Sequence, residues 1–492
     1  MHSKLSTSTT LWTTKRIAVI FTQSSSYPHS LIRQYTTTKR NVHLSSAAAP
    51  ASHNGHFHSP IEPSSPSPPS RPLKTLPNLM LLRSLFVATI SSHRFLLIPA
   101  LSTLQFLTRP HASALFSVKK NPVLHAIIKK TFYNHFCGGE NGNETRQCVK
   151  NLKDVGFRGI ILTYARETVF DHETQSTHAL LGSDHEGAAA SESSAAQVED
   201  VYVREWKKGA MESLAMIGSG DFLALKLTGA GPIVTSTFEA GHKAPEQMMD
   251  ALRAMGHECK SRGVRMIIDA ESTLYQHGID ETALQLMREF NKDGTAVVYN
   301  TYQAYLKKTP SVVATHMLAA SKEGFTLGLK LVRGAYISSD HRAMIHDTKQ
   351  DTDDCYNYII KGALLRQFED FGGPRAKYAF PSTNLFLASH NRESVFRAYR
   401  LHRQRTEAGL PTVPISYGQL QGMADSVSFA ATKGSSDYRG PDVFKCTTWG
   451  SMSECIAYLL RRAVENRDSV LRTRDEYDAL RSEVWRRWFS WS

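Results

Sequence analysis

Thr326-Leu-Gly-Leu-Lys-Leu-Val-Arg-Gly-Ala-Tyr336 is the stretch that decides the fold. A short apolar, β-prone run, Thr326–Val332, leads straight into polar residues and a glycine. The same unit recurs on both sides of it, at Phe157–Tyr164, Phe222–Leu227, Arg265–Asp269, Ala296–Tyr302, Leu385–Ser389, Ile415–Gln419 and Val443–Thr447. Longer amphipathic stretches alternate with these runs, among them Ala244–Arg262, Thr282–Asn291 and Arg392–His402. Eight strand–helix units of this kind predict an α/β fold, a (β/α)8 TIM-type barrel. A doubly wound open sheet is the alternative, but no G-x-G-x-x-G follows the first run.

Active sites of such barrels lie at the C-terminal ends of the strands. Those ends are polar here: Lys226 and Thr228, Asp269-Ala-Glu271, Asn300 to Gln303, Lys330 to Tyr336, Ser389-His-Asn391 and Tyr417 to Met423. One such residue caps or solvates; six polar strand ends together point to a site. Beyond the last run lies Ala457-Tyr-Leu-Leu-Arg-Arg-Ala-Val-Glu-Asn466. Tyr458, Arg461, Arg462 and Glu465 fall at i, i+3, i+4 and i+7, on one helical face. Two adjacent guanidiniums form a fork suited to a carboxylate, although a solvated basic face has the same pattern.

Charge is unevenly spread. Of 58 Lys+Arg and 45 Asp+Glu, residues 1–139 hold 15 basic residues and one acid, Glu62. The remainder is close to neutral, which speaks against a nucleic-acid footprint. Residues 1–58, rich in Ser and Thr and without an acid, suit a mitochondrial transit peptide. Residues 59–77 hold seven prolines and read as an extended linker. The folded body is expected from about Asn78, with an N-terminal helical arm over 78–156 and the barrel over 157–492. A low-complexity insert near 181–200 reads as a surface loop. Leu79–Leu107 is apolar, but Arg83, His93, Arg94 and Pro99 interrupt it, so a helix lying on an interface or in a core is expected rather than a crossing. Six scattered cysteines form no C-x-x-C pair and indicate neither a disulfide framework nor a metal site.

Taken together, Lys-Leu-Val-Arg-Gly-Ala-Tyr (330–336), Ala-Ser-His-Asn (388–391), Gly-Gln-Leu-Gln-Gly-Met (418–423) and Tyr-Leu-Leu-Arg-Arg-Ala-Val-Glu-Asn (458–466) closely resemble the proline dehydrogenase family, over about residues 78–488. The resemblance implies a distorted barrel whose last helix lies over the strand ends and which carries FAD without a Rossmann fingerprint. It implies oxidation of L-proline to pyrroline-5-carboxylate, electrons passed to a quinone, and peripheral contact with the matrix side of the mitochondrial inner membrane. On this resemblance Arg461 and Arg462 clamp the substrate carboxylate. Tyr458 and Leu420 wall the ring, and Tyr336 and Cys446 complete the substrate pocket. Lys226, Asp269 and Lys330 are the charged catalytic positions, with Asp269 expected to orient Arg462. Ala270, Gln303, Lys330, Arg333, Gly334, Ala335, His390, Asn391 and Glu465 match cofactor-contacting positions. One departure stands out. Proline-specific members usually carry tyrosine where this chain has Cys446, and the hydroxyproline branch has a small residue there, so hydroxyproline dehydrogenase is the alternative reading. Two others are a Schiff-base lyase built on Lys226 or Lys330 and a catalytically degenerate barrel scaffold.

Overall fold

Val, Ile, Leu and Phe dominate the eight apolar runs, and in the computed structural model each run is a strand of one parallel sheet. The structure describes residues 72–107, 116–118, 120–165, 168–171, 176–179, 200–337, 339–432, 441–465 and 470–489. The expected transit segment, most of the linker and the insert at 181–199 lie outside the described residues. The strands are β1 (Gly159–Tyr164), β2 (Phe222–Leu225), β3 (Arg265–Ile268), β4 (Val298–Gln303), β5 (Leu327–Val332), β6 (Thr383–Ala388), β7 (Ile415–Leu420) and β8 (Asp442–Trp449). Each pairs in parallel with the next, and β8 returns to β1 with Cys446 opposite Ile161, so the sheet closes into a barrel.

The two-residue period of a strand separates two cores. Ile161, Phe222, Ile267, Tyr299, Phe386 and Phe444 form one apolar cluster inside the barrel. Their sequence neighbours, such as Ile160, Leu223, Met266, Val298 and Val443, join the larger cluster shared with the surrounding helices. Phe222, Phe386 and Phe444 meet edge to face or tilted, with ring centroids 5.0–5.7 Å apart. The Arg265 guanidinium lies 3.9 Å from the Phe222 ring. Gly418 makes room for this layer, since a Cβ there would stand 2.6 Å from the Phe386 ring.

Four elements were not expected from the sequence. Cys137–Gly139 adds a short parallel strand to the end of β8. Thr168–Asp171 and Ser176–Ala179 form an antiparallel pair after β1. A final helix, Val470–Trp488, packs antiparallel along the arm helix Asn78–Ser92: Ser92 Oγ donates to Thr473 O at 3.0 Å, and Arg487 donates to the carbonyls of Leu73, Lys74 and Leu76. The same contacts reach into the end of the expected linker. Pro72–Thr75 is a helical turn, and Leu73 and Leu76 are fully buried, so two leucines draw the end of the proline-rich stretch into the core.

The helix Met452–Glu465 follows β8 directly. Ser451 caps it, with Ser451 N and Oγ both donating to Glu454 Oε2. Its buried stripe, Met452, Cys455, Ile456 and Leu460, packs with Leu104 and Leu107 of the second arm helix, Arg94–Leu107.

Candidate active site

Continuing the inward parity past the aromatic layer selects a set of polar side chains at the C-terminal mouth. On β2 the series 222, 224 runs to Lys226; on β3, 265, 267 runs to Asp269; on β4, 299, 301 runs to Gln303; on β8, 444 runs to Cys446. The contacts agree with this placement. Lys330 Nζ donates to Asp269 Oδ1 at 2.5 Å, although β4 stands between their strands, so the pair spans the barrel interior. The two side chains are 9% and 19% exposed. An ion pair this sheltered is weakly screened, and loss of either partner leaves a costly lone charge. Lys226 Nζ donates to Tyr336 Oη at 3.3 Å and lies 5.9 Å from the centre of the Tyr458 ring, which brings the helix Met452–Glu465 over the strand ends.

Cys446 and Leu420 are direct neighbours across β7 and β8. Burial pushes the Cys446 thiol up to about 12, with the charges of Lys330, Asp269 and Lys226 acting on it as smaller influences. A thiol this far up is neutral at physiological pH and serves as a small apolar group rather than a nucleophile.

Hydrogen bonds tie the rim together. The buried Glu271 carboxylate accepts from Thr228 N at 3.1 Å and from Thr228 Oγ1. Gln303 Nε2 donates to Glu271 O at 3.0 Å, and Ala335 N donates to Gln303 Oε1 at 3.3 Å. This chain links the ends of β2, β3, β4 and β5. Asp340 joins the same loops from the far side, accepting from Ser272 Oγ, Thr273 N and Tyr305 Oη. The sequence presents Glu271 only as part of a polar strand end, without a role, and does not single out Asp340. Strand parity, which marks Asp269, marks Glu271 as well, whereas nothing in the sequence marks Asp340.

The remaining expected contacts fall into place with particular local roles. Arg333 donates to Asp353 Oδ1 at 2.7 Å, Ser389 Oγ at 2.6 Å and Ser394 Oγ at 3.0 Å, and stacks over Tyr356. Gly334 has φ +151°, and a Cβ there would stand 2.3 Å from the Tyr305 ring, so packing alone requires glycine. His390 Nε2 accepts from Leu420 N at 3.1 Å, which places the proton of the neutral ring on Nδ1. The Asn391 side chain caps the helix Arg392–Glu407 by accepting from Ser394 N. Asp269, expected to orient Arg462, has Lys330 as its ion-pair partner among the described residues. Arg461, Arg462 and Glu465 are helical in backbone and share a face with Tyr458, and their side chains lie outside the described residues.

A fit test for a flavin dinucleotide rests on the donor set. The mouth gathers the cations Lys330 and Arg333 and the amide of Gln303 around the side-chain-free Gly334, and although each is also engaged within the protein, by Asp269, by Asp353 and by Glu271 O and Ala335 N, this donor set is compatible with an anionic, hydrogen-bonding cofactor. The residues fit the group.

Comparisons with known proteins bear on this mouth. A family model described as proline dehydrogenase matches residues 147–475. A probable mitochondrial proline dehydrogenase of Schizosaccharomyces pombe is 28% identical over 449 residues, covering 83% of this chain and 88% of that protein. A hydroxyproline dehydrogenase of Rattus norvegicus is 27% identical over 395 residues, covering 74% and 83%. Among solved structures, proline utilization A from Bdellovibrio bacteriovorus, inactivated by N-propargylglycine, superposes with a TM-score of 0.51 at 17% identity. That match covers 71% of this chain and 34% of the bacterial one, so the present chain spans about a third of its length.

Proposed function

The chain belongs to the proline dehydrogenase family, and from that premise we propose that it oxidises L-proline to pyrroline-5-carboxylate with FAD as cofactor and a quinone as acceptor. The observation that carries the reading is the charged inward layer, Lys226 with the Lys330–Asp269 pair, beneath a helix that carries two adjacent arginines on the face of Tyr458.

FAD, when bound, supplies the acceptor for the hydride leaving the ring carbon next to nitrogen. Gln303, Lys330, Arg333, the Gly334–Ala335 backbone, Ala270, His390, Asn391 and Glu465 are the positions proposed to hold it. The protein supplies geometry and charge. Arg461 and Arg462 grip the carboxylate and so fix which carbon faces the cofactor. Tyr458 and Leu420 bound the ring. The amine must be neutral before its carbon gives up hydride. Lys226, on the inward face of β2 beside Tyr336, is proposed to act on the substrate nitrogen, where like charge disfavours the protonated amine. The names of several relatives and the acid-free leader support a mitochondrial location; peripheral contact with the matrix face of the inner membrane belongs to the same proposal.

Cys446 favours a second reading, hydroxyproline as the ring oxidised. A small neutral group at this inward position leaves space that a tyrosine would fill. The test is steady-state oxidation of L-proline and trans-4-hydroxyproline by the purified yellow protein with a soluble quinone. Turnover of either with trapping of the cyclic imine supports the family chemistry, and the larger kcat/KM names the substrate. A protein that binds flavin and turns over neither is a degenerate scaffold, and the proposal falls.

A further inference from the structure

Strand register places two threonines beside Cys446. The row of paired residues across β7, β8, β1, β2 and β3 is Leu420, Cys446, Ile161, Phe222 and Arg265. It begins at the end of β7 and finishes at the start of β3, so it descends toward the barrel floor by about one residue per strand, as strand tilt requires. In the inward row above it, Thr448 pairs with Thr163, and Thr163 with Ala224. Ile161 and Ala224 belong to the apolar cluster inside the barrel. Thr163 and Thr448 share their parity and point inward as well. Their outward neighbours agree: the Tyr164 and Trp449 rings meet 5.1 Å apart, and Trp449 Nε1 donates to Ser213 Oγ of the helix Val201–Ala215 at 2.6 Å. From core to mouth, the inward residues of β1 and β8 therefore interleave as Ile161, Cys446, Thr163 and Thr448.

Both threonines are deeply buried, 5% exposed for Thr163 and 4% for Thr448. Thr301, the inward threonine of β4, donates its hydroxyl to Ile268 O at 2.8 Å. The hydroxyls of Thr163 and Thr448 have no hydrogen-bond partner among the described residues. Buried hydroxyls are ordinarily paired. The adjoining inward side chains do not supply a partner: Ala224 ends in a methyl, and the neutral Cys446 thiol is at most a weak donor. Each hydroxyl offers one donor and two acceptor sites, so the pair can both give a hydrogen bond to an alcohol and receive one from it.

We infer that Thr163 and Thr448 form a subsite for a ring hydroxyl, so that the mouth selects a 4-hydroxylated pyrrolidine carboxylic acid. Cys446 leaves the space and the two threonines supply the polarity. The inference rests on the hydroxyproline reading above and deepens it. Space alone discriminates weakly, because a roomy pocket admits proline as well. A site built to pair a hydroxyl disfavours the ring that lacks one, since its own buried hydroxyls then stay unpaired.

The test compares the parent holoenzyme with Thr163→Val and Thr448→Val, which remove the hydroxyl and keep a branched, strand-favouring side chain. Thr163→Ser and Thr448→Ser keep the hydroxyl and serve as the rescue. For each protein kcat/KM is measured for trans-4-hydroxy-L-proline and for L-proline with a soluble quinone, and circular dichroism and flavin absorbance report folding. The ratio of hydroxyproline to proline is expected to fall roughly tenfold in each valine variant and to recover in the serine variants. A merely structural role would lower both substrates together and leave the ratio where it was. If the parent prefers hydroxyproline and both valine variants keep its ratio, the subsite is overturned and the substrate reading stands. If the parent oxidises no hydroxyproline, both are overturned. A parent that prefers proline, with valine variants that lose hydroxyproline tenfold further, supports the subsite and overturns only the preference.

Discussion

Cys446 faces Leu420 across the β7–β8 pair and lies within the field of Lys226, Asp269 and Lys330, and we propose that its size is read by the ring bound in the mouth. Replacing it by tyrosine adds a bulky ring at an inward position and should close the space next to Leu420. A pocket change of one group shifts selectivity by about 1–3 kcal/mol. Cys446→Tyr is therefore expected to move the ratio of kcat/KM for proline over trans-4-hydroxyproline roughly ten- to hundredfold toward proline. Parallel steady-state assays of parent and variant check this, and an unchanged ratio removes Cys446 from the specificity argument. The neighbouring residues show where reading by resemblance and reading by physics part. Asn391 stands just before a helical pattern, a recognisable capping signal, and the structure uses its side chain that way. Gly334 reads as a place of close cofactor approach, yet the Tyr305 ring already forbids a side chain there.

At the scale of elements, the helix Met452–Glu465 has two working faces. One buries Cys455, Ile456 and Leu460 against the arm, and the other carries Tyr458 beside Lys226. Arg461 and Arg462 are three and four residues beyond Tyr458, and we propose that they hold the substrate carboxylate. Arg461→Met and Arg462→Met should each raise KM for the amino acid by roughly two orders of magnitude, since a charge-assisted pair is lost. Flavin absorbance should be unchanged, because the proposed cofactor contacts lie mostly at the strand ends rather than on this helix. If both variants keep the parent KM, the clamp is elsewhere. The eight barrel strands were legible because each is an apolar run with a polar end, a local signal that burial on both faces produces. Cys137–Gly139 was not, for two of its three residues are glycine and the edge of β8 makes it a strand. The final helix was also silent. Its inner side carries the half-buried Glu476 and the buried Glu483 beside Leu480, so its composition resembles a solvated helix while its contacts are tertiary.

Across the whole molecule, one buried charge cluster joins barrel, arm and final helix. Lys445, turned outward from β8, donates to Asp425 at 2.8 Å and to Met423 O at 2.9 Å, and Ser84 of the first arm helix donates to Asp425 Oδ2 at 3.3 Å. Glu476 of the final helix accepts from Ser426 N at 3.1 Å. Arg83 and His135 line a cavity of about 20 Å³ beside Asp425 and Lys445, room for one water. Burial raises the Asp425 carboxyl, and Lys445, His135 and Ser84 together outweigh it and leave it below its ordinary value. Burial holds the His135 ring down to about 4 and lowers Arg83. Glu476 has no ion-pair partner among the described residues: burial, and next the Asp425 charge, push it up to about 7, against hydrogen bonds from Ser426 and the more distant Lys445. Between its ordinary value of 4.5 and about 7 the folded carboxyl keeps a proton that the unfolded chain has released. Stability contributed by this group is thus complete below that window and falls as pH rises through it. Glu476→Gln does not titrate, and glutamine keeps an oxygen for Ser426. The variant should match the parent in urea unfolding at pH 5 and exceed it at pH 8 by roughly 2–3 kcal/mol, while Asp425, depressed and paired, sets the acid limit for both. A difference between the two proteins that is the same at both pH values would mean that Glu476 is ionised throughout, held by Ser426 and Lys445, and that the final helix docks on the barrel through a carboxylate rather than a carboxylic acid.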